Sequence, residues 1–93
     1  MSETRRLRDL ASIGPAMERD FVVLGIHSVQ ALVGRDAHTL WLELCARTGH
    51  RHDPCVEDSF AAAIAQAENP DLPAEQCNWW YWTTVRKARK ASE

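Results

Sequence analysis

LASIGPAMERDFVVLGIHSVQAL, residues 10 to 32, sets a proline one step after one glycine and a second glycine ten residues further on. Pro15 holds φ near the helical value and lacks only an N–H that a first helical turn leaves unpaired, so it predicts the first residue of a helix with Gly14 as N-cap. Gly25 is placed as the left-handed residue that ends it. The predicted helix, 15–24, carries Met17, Phe21 and Leu24 on one face. The stretch before it, Arg5 to Ser12, predicts a short leading helix, so the order is helix, tight glycine turn, helix. Such a turn can aim several backbone N–H groups, from the loop and from the second helix's first turn, at one phosphate-sized point outside the protein. In Ser12-Ile13-Gly14-Pro15, Gly14 would let a phosphate approach the backbone and Ile13 would plug the hairpin into the core. A plain connection between two helices satisfies the same spacing.

Outward from this hairpin the pattern stays helical. Ile26 is a core anchor, Ser28 caps a short turn through Val29, Ala31 and Leu32, and Gly34 breaks it. Asp36 then caps a helix, 37–48, in which Ala37, Leu40, Trp41, Leu44 and Cys45 recur at helical spacing, and Gly49 stops it. Asp53 before Pro54 repeats the cap-then-proline signal, and Val56, Phe60, Ala63, Ile64 and Ala67 give the next helix, 54–68, its apolar stripe; Asn69-Pro70 ends it. A helical turn from Pro73 leads into CNWWYWTT, residues 77 to 84. Nothing alternates with period two, so no strand is predicted.

The totals fit one small all-α domain. Of 93 residues, 45% are apolar and 26% charged, enough for a single modest core. We expect one domain over 1–93: a basic N-terminal arm, 1–8, a core, 9–82, and a basic tail, 83–93, free to fray. No apolar run approaches the length of a membrane span and the start of the chain has no secretory pattern, which points to the cytoplasm. Cys45, Cys55 and Cys77 form no paired spacing and read as reduced thiols. Net charge is −2, and residues 9 to 85 hold 4 Lys/Arg against 11 Asp/Glu. Positive charge therefore sits at the two ends, in Arg5, Arg6 and Arg8 and in Arg86, Lys87, Arg89 and Lys90.

Residues 10–32 resemble a helix-hairpin-helix motif. The order of IGPAM, LGIHSV, LCARTGHRHDPCV and CNWWYW makes nearly the whole chain resemble the small bacterial family of pathogenicity-locus or mitomycin-resistance proteins. The resemblance implies a compact all-α, SAM-like domain of about five helices, used in DNA repair and recombination to grip nucleic-acid backbone without reading sequence. It implies no established reaction. On this reading Ser12, Ile13, Gly14 and Ala16 face phosphate, with Arg5, Arg6, Arg8 and Arg19 in support. Three departures weigh against it. Ser12 replaces a glycine, Ala16 replaces a lysine, and Glu18 and Asp20 put negative charge on the same helix. The pair 37–48 and 54–68 resembles a degenerate second hairpin at 48–54, whose Gly49, His50 and Arg51, with His52, would join the phosphate-facing side if both turns faced one way. A solvated polar loop is the alternative.

Other chemistry finds little support. His50, His52 and Cys55 lack the second ligand pair of a zinc site, so no metal or cofactor is expected, and Cys55 is predicted to be buried. Ser59 beside Asp58 and the scattered histidines make no catalytic constellation, and no enzyme activity is expected. Trp41 belongs to a core stripe. Trp79 and Trp82, three apart, are expected to share a core-covering face, leaving Trp80 and Tyr81 to dock a protein partner or a second copy of the chain as the alternative function.

Overall fold

The computed structural model describes residues 5–92, with side chains as far as Arg89. Four α-helices account for most of it: α1 (Pro15–Val23), α2 (Ala37–Thr48), α3 (Pro54–Glu68) and α4 (Trp79–Ser92), with single 3-10 turns at Leu7–Asp9, Gln30–Leu32 and Ala74–Cys77. There is no strand among the described residues. The all-α expectation stands, but the count of about five helices does not.

The difference lies in the leading arm. Asp9 folds back so that its carboxylate accepts the Arg6 N–H at 2.8 Å, Leu10 is extended, and Ser12 is left-handed at φ 72°. The chain thus reverses after one 3-10 turn, too early for a helix over 5–12.

Each α-helix boundary has a local cause. Gly14 and Pro15 open α1. At its end the Ile26 N–H bonds Phe21 O at 2.8 Å and the Gly25 N–H bonds Val22 O at 3.0 Å, the paired bonds of a Schellman motif, with Gly25 at φ 76°. Ile26 and Phe21, which this closure brings together, are both fully enclosed. Asp36 caps α2 through the Thr39 N–H at 2.9 Å, and left-handed Gly49 ends it. Asp53 caps α3 through the Cys55 N–H at 2.8 Å.

Helix α3 is the axis of the molecule. Phe60, Ala62, Ala63, Ile64, Gln66 and Ala67 are buried around most of its circumference, and it packs most extensively against α4 and α2. Phe60 meets Phe21 of α1 at a ring separation of 5.3 Å. The tail expected to fray is helical through Ser92, because two of its side chains are anchored on α3. Residues 1–4 of the basic arm and the side chains beyond Arg89 lie outside the described residues.

Candidate nucleic-acid interface

The turn between Leu10 and Pro15 combines an anchored interior with an open exterior. Ile13 is buried, as its plug role requires, while Pro15 and Ala16 are exposed. Gly14 has φ −103° and ψ −177°, extended backbone that any residue adopts, and a Cβ added there would meet nothing within 4 Å. Neither strain nor packing demands glycine at this point. Its effect is to leave the approach to the first turn of α1 clear, where the Ala16 and Met17 N–H groups lie beyond the reach of intrahelical acceptors.

Two polar side chains fix the turn from behind. Gln66 of α3 is buried; its Oε1 accepts the Ala11 N–H at 2.9 Å, and its amide donates to Ala11 O at 3.0 Å, Ala62 O at 3.2 Å and Cys77 O at 3.4 Å. Ser12 Oγ accepts the Trp79 N–H at 3.2 Å and donates to Cys77 O at 3.4 Å. A residue of the turn therefore helps cap α4, so the turn and the tryptophan segment form one rigid unit.

The flanking arginines are unequally available. Arg5 turns inward: its Nη1 donates to Gln66 O at 2.9 Å and its Nη2 to Ala67 O at 3.5 Å, satisfying the last carbonyls of α3. It is removed from the phosphate-facing set, since the end of α3 has the stronger claim on it. Arg8 lies 3.5 Å from Glu18 and offsets that charge on α1. Arg6 and Arg19 are exposed. Burial raises the Asp20 carboxyl's pKa despite the opposing influence of His52 and Arg19.

The second joint does not share this surface. Ala11 bonds Gln66 near the end of α3, whereas residues 49–53 lead into Pro54 at its start, about 18 Å away along the axis. Between them the far end of α1 meets the middle of α3, its Phe21 against Phe60, and its Asp20 is influenced by His52. The two turns thus lie toward opposite ends of α3, and Gly49, His50 and Arg51 are not brought to Ser12–Ala16. Local partners hold them instead. Gly49 is the left-handed cap of α2, the His50 and His52 rings lie 4.3 Å apart, and the Arg51 guanidinium sits 5.6 Å over Trp41, whose indole N–H donates to Asp53 O at 3.2 Å. Arg51, Trp41, His38 and Arg86 line a hollow of about 90 Å³ there.

Three further expectations need correction. Trp79 does not cover the core: it is 41% exposed and Trp80 52%. Trp82 alone of the pair is partly enclosed, its indole N–H bonded to Gln76 O at 2.8 Å, because α4 turns residues 82, 83 and 86 toward α3. Tyr81 is half-buried, edge-on to Trp82 at 5.2 Å, which leaves Trp80 rather than both as an outward docking residue. Cys55 is half-buried rather than buried, and its hydrogen bond to Asp53, followed by burial, raises the thiol's pKa against the opposing influence of Arg86. Among the described residues no three His, Cys, Asp or Glu side chains gather as a metal would need.

The polar clasp between the middle of α4 and the first turns of α3 was not visible in the sequence. Asp58 is 1% exposed; it accepts Thr83 Oγ1 at 2.6 Å and receives Arg86 Nε at 2.9 Å and Nη2 at 3.1 Å. The only available signal was the spacing Thr83-x-x-Arg86 on one helical face, which names no partner.

Comparison with known proteins agrees with the full-length pattern. The family model described as pathogenicity locus (Cdd1) matches residues 1–88. The mitomycin resistance protein McrB of Streptomyces lavendulae is 36% identical over 92 residues, covering 99% of this chain and 84% of the relative. No solved structure matches significantly.

Proposed function

The chain belongs to the pathogenicity-locus (Cdd1) family, and from that membership and the turn geometry we propose that it is a small cytoplasmic accessory module that binds nucleic-acid backbone without sequence specificity and without a chemical step of its own. The observation that carries this reading is the turn at Ser12–Met17: a left-handed residue, a glycine that neither strain nor packing requires, and first-turn amides without intrahelical acceptors, on a scaffold fixed by Gln66. On this reading the arrangement acts as the grip of a SAM-like helix-hairpin-helix domain. The amides of Gly14, Ala16 and Met17 would donate to a phosphate oxygen, and exposed Arg6 and Arg19 would supply charge. The Arg8–Glu18 pair weakens the acidic objection to this surface. Resistance to mitomycin, carried in the relative's name, fits a role in a DNA-damage response.

Duplex and branched DNA titrated at several salt concentrations tests the reading. Affinity is expected to fall with a log–log slope of about −2, as release of a few counterions requires. Gly14→Val is expected to lose roughly tenfold in affinity (about 1.4 kcal/mol) while keeping the helical circular-dichroism spectrum. Undetectable binding at low salt would sink the proposal.

The exposure of Trp80 favours a second reading, a docking point for a protein partner or a second copy of the chain.

A further inference from the structure

Four tryptophans divide into two kinds. Trp41 and Trp82 direct their indole N–H groups to protein carbonyls, at Asp53 and Gln76. Trp79 and Trp80, at the start of α4, are the large aromatic side chains left exposed, and among the described residues no other ring stacks on either. Two neighbouring exposed indoles need an occupant to account for them.

The charge around them favours one. Helix α4 contains no Asp or Glu, and the Trp80 face continues through Thr84 to Lys87, at helical spacing and both exposed. Lys87 follows Trp80 by about 10 Å along the axis. At the other side, the Trp79 backbone N–H bonds Ser12 Oγ, so the start of α4 adjoins the hairpin turn and its first-turn amides. Aromatic faces lying between a cation and backbone donors complement a strand in which bases alternate with phosphates. In an intact duplex each base face is already covered by its neighbours, so an indole gains nothing there.

We propose that Trp79 and Trp80 form a stacking platform for unpaired nucleobases, with Lys87 and the hairpin amides holding the flanking phosphates, so that the chain prefers single-stranded to fully paired nucleic acid. This rests on the backbone-binding reading and adds to it the kind of strand recognised.

The test is fluorescence anisotropy of the full chain with a labelled mixed-sequence single strand of about twelve nucleotides and with the matching blunt duplex, at low salt. The single strand is expected to bind about tenfold more tightly. Trp80→Ala is expected to lose roughly that factor on the single strand only, and Trp80→Phe, which keeps a ring, to retain most of it. Equal affinities for the two forms, unchanged by Trp80→Ala, would overturn the stacking platform and leave backbone binding standing. Binding to neither form would overturn both, and self-association abolished by Trp80→Ala would then assign the indoles to a protein contact.

Discussion

Ser12 shows how a residue that looks wrong for its motif is accommodated. It is the one non-glycine with positive φ among the described residues, a conformation that costs an L side chain about 1 kcal/mol. Its hydroxyl offsets the strain by joining the Trp79 N–H and Cys77 O. Ser12→Ala keeps the strain and loses both bonds, so it is expected to destabilise by about 1–2 kcal/mol in urea unfolding. Ser12→Gly loses the bonds but relieves the strain, and should cost clearly less. Equal costs would show that the backbone, not the hydroxyl, decides the site. Ser12, set against a glycine in the sequence reading, takes the left-handed conformation that favours glycine. It could not see the hydroxyl's use, because the partners lie 65 and 67 residues away.

At the scale of elements, helices with local boundary signals were legible and contacts between helices were not. Asp36, Asp53, Gly25 and Gly49 mark their boundaries as expected, since a cap acts on amides and carbonyls within a few residues. The capping bonds from the Thr39 and Cys55 amides hold the Asp36 and Asp53 carboxyls below the ordinary range. Their folded-state pKa values lie under the unfolded ones. The stability they add is therefore present above about pH 4 and lost as pH falls through the lower folded values. The double variant Asp36→Asn, Asp53→Asn keeps capping acceptors without the titration. It should be less stable than the wild type at neutral pH and converge with it in acid, in thermal melts followed across pH. A gap that persists unchanged in acid would refute this account.

The leading arm and α4 were misread for a different reason: their conformations depend on α3. Residues 59–67 lack any charge, a sign of a helix enclosed on most sides rather than along one stripe. The two buried polar residues of α3, Asp58 just before the run and Gln66 within it, are the points where α4 and the hairpin attach. Removing one or the other member of the Asp58–Arg86 pair should be asymmetric. Arg86→Ala leaves an almost fully buried carboxylate with Thr83 alone and is expected to cost about 3 kcal/mol. Asp58→Ala leaves an arginine whose side chain is 17% exposed and can turn to water, so its cost should be about 1–2 kcal/mol. Negligible cost for both in urea unfolding would mean that α4 is not held by this clasp.

For the whole molecule, an axial helix carries one turn toward each end, and the candidate surface is consequently narrower than the sequence suggested. Arg5 and the 49–53 joint leave it; Trp79 and Trp80 enter it. Net charge of −2 offers little general attraction to nucleic acid, so the proposed binding would come from fixed donors at one place. Amide-resolved NMR of the labelled chain, titrated with DNA at low salt, tests that claim at the atoms concerned. The largest shifts are expected at the amides of Gly14, Ala16 and Met17 and in the neighbouring Trp79–Trp80 segment, fading as salt is raised. Shifts absent from that turn, or centred on residues 49–53, would contradict the account.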